Sequence, residues 1–238
     1  MQFSGSFLDF PGLGGVCAIR PDYPAAKLDI KLVLEEDDAE TIAAAKALRL
    51  DGRFEILCVP SSPLRTKPRA CNYALNFVRG AYVVVYDAED RPEADQLKKV
   101  VVAFRTARRD VACFQARLNV YNANDNWLTR MFALEYASWF DFLLPGLNRL
   151  GIPIPLGGTS NHFRTEILRQ VFGWDAFNVT EDADLGLRLA QQDYRAILID
   201  CVVRLPALTV TRTALGTICD RKSGENHSPG STSVSAAR

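Results

Sequence analysis

The sequence carries no excess of either charge. Its 28 Lys and Arg balance 28 Asp and Glu, so no overall field draws the chain to nucleic acid or anionic lipid, and a charged ligand must be handled locally. It also lacks the run of about 20 apolar residues that a bilayer-spanning helix needs. The segment WFDFLLPGLNRLGIPIPLGG comes nearest, but Asp141, Arg149 and three prolines interrupt it. The six cysteines, at 17, 58, 71, 113, 201 and 219, form no C-x-x-C pair, which argues against a zinc site and for a reducing compartment. Cys58 and Cys113 sit in apolar runs and are expected to be buried as small hydrophobes. The opening MQFSGSFLDFPGLGG has neither a basic n-region nor an adequate apolar h-region, so no signal peptide is read there and a cytoplasmic chain is expected.

What is present is an ordinary globular composition, 48% hydrophobic and 24% charged over 238 residues, enough for one large domain. From Lys27 onward short apolar runs alternate with longer amphipathic ones. LDIKLVLE, FEILCVP, AYVVVY, DVACFQARL and YRAILID read as strands. DAETIAAAKALRL, RACNYALNFV, EADQLKKVVVAFRTA, TEILRQVF and EDADLGLRLAQQ read as helices. Such alternation predicts an α/β fold with a mostly parallel sheet. The nearly unbroken apolar run at 81–86 predicts a central strand buried on both faces. Residues 125–144 predict a long helix dense in aromatics and mostly core, while PIPLGGTSNHFR predicts a loop or short strand. The ends break the pattern: residues 1–21 are rich in Gly and Phe without period, the pattern is lost after Asp200, and disorder is expected from about 220.

Four stretches offer chemistry. In open α/β sheets ligands sit beyond the carboxyl ends of the strands, and YDAEDRPEAD places acidic groups there. Asp87 and Glu89, two apart in a turn, can offer hard oxygen donors to Mg²⁺ or Mn²⁺, with water and phosphates completing the shell. Asp90, Glu93 and Asp95 suit the start of the next helix, with Pro92 at its first position. In RTKPRAC, Lys67 lies at a helix start with Arg65 nearby, a possible phosphate cradle or a merely solvated loop. In NVTEDADLGLRL, Thr180 suits an N-cap and Glu181, Asp182 and Asp184 fill the first turn, where they complement the helix dipole or supply a general base. In GIPIPLGGTSNHFR, Gly157 and Gly158 permit close backbone approach, and Thr159, Ser160 and Asn161 offer hydrogen bonds to a hydroxyl-rich ligand. His162 reads more readily as a structural hydrogen-bonder than as a ligand.

Taken together, KLVLEEDDAETI, RTKPRACNYAL, YVVVYDAEDRPE, ACFQARLNVYNANDNWLTRMFALEYASWFD, LGGTSNHFRTEIL and NVTEDADLGLRL resemble the inverting family 2 glycosyltransferases of the GT-A fold, the cellulose-synthase-like group. The resemblance covers roughly residues 22–200. It implies Asp182 of the TED motif (Thr180, Glu181, Asp182) as the catalytic base at the acceptor side, and Asp87 and Glu89 as ligands of a divalent cation, Mg²⁺ or Mn²⁺. It implies Glu36, Lys67 and Asp87 at the nucleotide-sugar donor, with Asp37 beside Glu36. The implied reaction moves a sugar from a nucleotide-diphosphate sugar, expected to be a UDP-sugar, to a saccharide hydroxyl with inversion, in polysaccharide synthesis. Full-length relatives are implied to be embedded in the inner membrane, with this domain on its cytoplasmic face.

Two departures accompany the resemblance. Residues 1–21 do not supply the family's opening strand-loop, and no Gln-x-x-Arg-Trp motif follows the TED motif, since no tryptophan follows Trp174. The expectation is therefore a divergent segment at 1–21, a GT-A domain at 22–200 and a divergent tail at 201–238, from a truncated or frame-shifted reading frame whose product is inactive alone. Two alternatives stand beside an active transferase. One is a catalytically dead remnant that binds nucleotide diphosphate. The other is a nucleotidyltransferase, for which the Gly-rich PGLGG precedes the wrong element.

Overall fold

A computed structural model of the chain describes residues 3–8, as backbone, and residues 21–207. Among these, eight strands form one sheet: β1 (Phe3–Leu8), β2 (Leu28–Glu35), β3 (Phe54–Val59), β4 (Tyr82–Asp87), β5 (Arg91–Pro92), β6 (Val111–Val120), β7 (Asn161–Arg164) and β8 (Arg195–Leu205). Their order is β3-β2-β1-β4-β7-β6-β8-β5. The first four are mutually parallel, as are β6 and β8, while β7 runs antiparallel between β4 and β6. The expected mostly parallel α/β sheet is therefore present.

The central strand follows directly from its sequence. Every residue of Tyr82–Tyr86 is buried, because helices cover both faces and period-2 alternation sends neighbours to opposite sides. Val83 and Val85 join one core with α2 (Lys67–Leu75), α6 (Thr165–Gln170) and α7 (Glu181–Gln191). Tyr82, Val84 and Tyr86 join the other with α1 (Ala39–Ala47) and α3 (Gln96–Thr106). Helix α3 buries Leu97, Val100, Val101 and Phe104, the face its spacing predicts. Phe104 stacks on Tyr82 with ring centroids 4.4 Å apart, so truncating it to Ala would cost about 3–5 kcal/mol.

Three features differ from expectation. The sheet extends past both expected domain limits, since the backbone of Phe3–Leu8 lies between β2 and β4 and β8 continues to Leu205. The pattern of β8 fails at Asp200 because the register with β6 shifts there: Ala116 pairs with Ile199 but Arg117 with Val202. Within the bulge Cys201, and beyond it Val203, are buried again. The expected disorder from about 220 lies outside the described residues.

The aromatic segment forms α4 (Trp127–Ala137), a π-helical turn (Ser138–Leu143) and α5 (Leu144–Arg149). It is not mostly core, because Trp127 is 74% and Phe142 76% exposed, and only Thr129, Phe140 and Leu144 are buried. Cys58 is likewise exposed, whereas Cys113 is buried. Among the described residues no helix is long and apolar enough to cross a membrane.

Candidate active site

The parallel strands β2, β3 and β4 end at Glu35, Val59 and Asp87 on one edge of the sheet, and the candidate residues gather there. Strand β4 delivers Asp87, half-buried, and the chain turns at once, with the Asp90 amide donating to the Asp87 carbonyl at 3.1 Å. The Asp90 carboxylate folds back to close that turn. Its Oδ2 accepts the Asp87 amide at 2.8 Å and the Thr159 hydroxyl, and its Oδ1 is buried without a hydrogen bond among the described residues. Burial, and then the neighbouring Asp87 carboxylate, hold the Asp90 pKa well above the usual carboxylate range.

Asp90 is therefore a buried brace of the turn, not part of the following helix start. Arg91 and Pro92 pair as β5 with β8, and α3 begins at Gln96 with Asp95 at its N-cap. Glu93 instead bonds Lys99 at 2.8 Å. Pairing with β8 overrides the helix-opening preference of Pro92, which suits an edge strand equally well. Glu89 is exposed at the tip of the turn.

Helix α2 supplies the cation. Thr66 is extended and Lys67 is the first helical residue, with Pro68 in the first turn. The Lys67 amine reaches Asp87 Oδ1 at 2.5 Å and the Gly158 carbonyl at 2.6 Å. Burial opposes its charge, but the carboxylates of Asp87 and Asp182 outweigh that and raise its pKa. Arg65 does not join Lys67; it pairs with Asp37 further out, past the end of β2. Glu36 lies at that outer corner, exposed, with Oε2 accepting the Ser61 amide at 3.4 Å.

Asp182 enters from helix α7. Thr180 occupies the N-cap position as expected, but its side chain makes no capping bond and donates instead to Asn178 Oδ1 at 3.1 Å. Glu181, Asp182 and Asp184 do fill the first turn, and Asp184 pairs with Arg188 at 2.7 Å. Glu181 is half-buried, and burial raises its pKa. Asp182 itself is buried. It accepts the Trp174 indole N–H at 2.9 Å and the Asn161 amide at 3.4 Å, both on Oδ1. Gly186 lets α7 press onto the 154–156 backbone, since a Cβ there would lie 2.9 Å from the Ile154 carbonyl oxygen. Burial pushes the Asp182 pKa up to about 7, against the lowering influence of Lys67 and Trp174. A carboxylate so placed is near half-ionised at neutral pH and can accept a proton there.

The segment 157–162 forms the floor. Gly157 is required by contact, because a Cβ would meet Leu118 Cδ1 at 2.9 Å and Phe140 at 3.2 Å. Thr159, Ser160 and Asn161 are all buried and brace the site from within. His162 is fully buried, its Nδ1 3.2 Å from the Phe114 carbonyl oxygen and its Nε2 3.4 Å from the Tyr86 hydroxyl. Burial lowers its pKa to about 4, so it is neutral and structural.

Lys67, Gly158, Asn161, Trp174, Glu181 and Asp182 thus line one cleft, with Asp87 on its rim through Lys67. Asp87 ends β4 with its Oδ1 on Lys67, and Glu89 stands exposed two residues on, two oxygen donors of the kind a hard cation takes. Among the described residues no group of three His, Cys, Asp or Glu is placed to hold an ion. Trp174 and the Gly158 carbonyl were not foreseen from sequence. The only hint of Trp174 was its place eight residues before Asp182 in GWDAFNVTED.

The chain is similar to several known proteins. A family model described as glycosyltransferase like family 2 matches residues 16–214. The beta-monoglucosyldiacylglycerol synthase of Trichormus variabilis is 27% identical over 172 residues, covering 71% of this chain and 36% of the relative. Glucomannan 4-beta-mannosyltransferase 1 of Oryza sativa is 25% identical over 118 residues, covering 50% of this chain and 22% of the relative. The chain spans about a third or less of the length of these relatives. Among solved structures, the mannosyltransferase PcManGT of Pyrobaculum calidifontis, in complex with GDP-Man and Mn²⁺, superposes with a TM-score of 0.60 at 21% identity, over 84% of this chain and 56% of that one. S. aureus TarS 1–349 with UDP-GlcNAc gives 0.60 at 15% identity, over 89% and 60%. These likenesses show the GT-A fold, and the family match shows that the chain belongs to glycosyltransferase-like family 2.

Proposed function

We propose that this member of glycosyltransferase-like family 2 transfers a sugar from a nucleoside-diphosphate sugar to an acceptor hydroxyl, with inversion at the anomeric carbon. The observation that carries the reading is one buried carboxylate, Asp182, with its pKa at about 7, facing the Lys67–Asp87 pair across a single cleft. Asp182 takes the proton of the acceptor hydroxyl as its oxygen attacks in line. Asp182 acting alone as base, with Glu181 beside it on the same helix turn rather than across the cleft, suits a single displacement rather than a covalent intermediate. In this reading Lys67 supplies a positive charge to the leaving diphosphate, and Glu36, with Asp37 beside it, would meet the nucleotide base.

Asp87 and Glu89 would hold Mg²⁺ or Mn²⁺. When bound, such an ion stabilises the charge that develops on the leaving diphosphate. The structural neighbours bound to GDP-Man with Mn²⁺ and to UDP-GlcNAc support a nucleotide-sugar donor, and a UDP-sugar and a saccharide acceptor are the proposed pair.

Titrating UDP and GDP with and without Mn²⁺, followed by assays of sugar-nucleotide turnover, tests the reading. Mn²⁺-dependent binding that Asp87→Ala abolishes, together with turnover that Asp182→Asn abolishes, is the expected result. Binding without turnover would reduce the function to nucleotide binding. No binding at millimolar nucleotide would overturn it altogether.

A further inference from the structure

We propose that Trp174 is a positioning residue for Asp182: its indole N–H holds one carboxylate oxygen so that the other is the only one able to receive the acceptor's proton. The inference rests on reading Asp182 as the base. Its own ground is that the two oxygens of this carboxylate are treated differently. Oδ1 accepts the Trp174 indole at 2.9 Å and the Asn161 amide at 3.4 Å. Oδ2 receives no hydrogen bond among the described residues and faces Gly158, where a Cβ would stand 3.9 Å away.

The indole is itself fixed in place. The Trp174 backbone amide donates to Asn72 Oδ1 at 2.9 Å, and Asn72 Nδ2 donates to the Trp174 carbonyl at 2.6 Å. The ring meets Phe163 edge-on, with centroids 5.7 Å apart at 89°. Gly173, at φ +64°, turns the chain into this clamp, and a Cβ there would lie 2.3 Å from Asn72 Oδ1. Asn72 belongs to α2, the helix that begins at Lys67. One helix therefore sets both the cation and the donor that orients the base.

The chemistry is directional because an indole N–H donates and cannot accept. A proton on Oδ1 would face two donors, so protonated Asp182 carries its proton on Oδ2. In the transfer step the hydroxyl proton moves to Oδ2 and the hydroxyl oxygen bonds to the anomeric carbon. The bond from that carbon to the diphosphate oxygen breaks, and its electron pair leaves with the diphosphate. A hydrogen bond to the ionised form also favours ionisation. The other titratable groups coupled to Asp182 are Lys67 and Cys71 on α2, Glu181 beside it, Asp87 on β4 and Cys113 on β6.

With only three tryptophans in the chain, the Trp174 indole resonance of ¹⁵N-labelled protein can be assigned as the one lost in Trp174→Phe. It is expected to titrate with a midpoint near pH 7, matching Asp182, and to stop titrating in Asp182→Asn. Trp174→Phe keeps the ring against Phe163 and removes the N–H. It should lower kcat about 10- to 100-fold, leave the donor KM near its original value, and move the acid limb of the pH profile upward.

A Trp174 resonance indifferent to Asp182→Asn would overturn the proposal, as would a Trp174→Phe enzyme with unchanged kcat and pH profile. The resonance is read on the unaltered protein and on Asp182→Asn, so it decides the question even if Trp174→Phe fails to fold. Full transfer by Asp182→Asn would sink the base assignment itself, a different failure from a silent indole in a protein whose Asp182→Asn variant is dead.

Discussion

At the amino-terminal end of β2, Asp29 and Lys31 are both buried and sit 2.9 Å apart, whereas at the carboxyl-terminal edge Asp90 and Asp182 are buried with no ion pair of their own among the described residues. The first cluster is closed: Lys31 also pairs with Glu55, and Arg79 bonds both Asp29 oxygens at 2.6 and 3.2 Å. Desolvation there is offset by opposite charge at contact. At the other edge desolvation is not matched, and both carboxylates are pushed toward their neutral forms. The two ends of one strand layer thus show how a fold uses buried charge. Where it is paired it holds strands in register, and where it is left unpaired it is poised to exchange a proton.

The sharpest way to break this comparison is to remove the charge at each end. Asp182→Asn keeps the size of the side chain and an oxygen for the Trp174 N–H. It should lower transfer by about 10²- to 10⁴-fold while leaving thermal unfolding in place. Asp29→Asn should do the reverse. Removing one partner of a buried pair costs about 3–5 kcal/mol, and for a chain of this size that corresponds to a fall of roughly 6–20 °C in Tm, with nucleotide binding retained. Arg79→Ala, at a side chain 64% exposed, should cost no more than about 1 kcal/mol. Parallel assays of turnover and Tm on the three variants decide the matter. A Tm collapse in Asp182→Asn, or an inactive but stable Asp29→Asn, would erase the distinction between the two ends.

Neither the pairing nor the lack of it was legible in LDIKLVLE or YDAED. Lys31 reads as a polar interruption in a strand, and only the fold brings Glu55 and Arg79 beside it. Asp90 reads as a helix opener because Pro92 follows, and only the antiparallel contact with β8 reveals that the helix begins later. The local elements were legible, since β2, β4, the buried face of α3 and the first turn of α7 follow from period and turn chemistry. The motif carboxylates also came out together on one edge, because strand ends in a parallel sheet converge there. What escaped was whatever depends on contacts between distant segments: the strand at Phe3–Leu8, the continuation of β8 past its bulge, and the bond from Trp174 to Asp182. The exposed α4–α5 face escaped for a different reason. A run dense in aromatics predicts burial, but the sequence does not say what buries it.

The mildest test uses pH alone. Asp182 has a pKa raised from 3.8 to about 7 in the folded chain, so its contribution is fully present at low pH and is lost as pH rises through about 7. His162 works in the opposite sense. Its pKa falls from 6.5 to about 4, so the stability from its neutral burial is present above 6.5 and is lost as pH falls. Between pH 6.5 and 8 the unfolded chain finishes losing its histidine proton, a small gain for the fold, and the buried cysteines, all raised from 9.0, have not begun to ionise. Asp90, raised from 3.8 to about 8, loses its proton in the same sense as Asp182, and equally in the unaltered chain and the variants. In that window the chain should lose stability with rising pH, Asp182 accounting for about 1 kcal/mol, or roughly 2–4 °C in Tm. Asp182→Asn has no proton to lose, so its Tm should fall less over the same interval and the gap between the two proteins should widen toward pH 8. Asp29→Asn should run parallel to the unaltered chain, displaced downward by a constant amount. Parallel curves for Asp182→Asn as well would mean that the carboxylate is already ionised at pH 6.5, and the base would then have to work from an ordinary pKa.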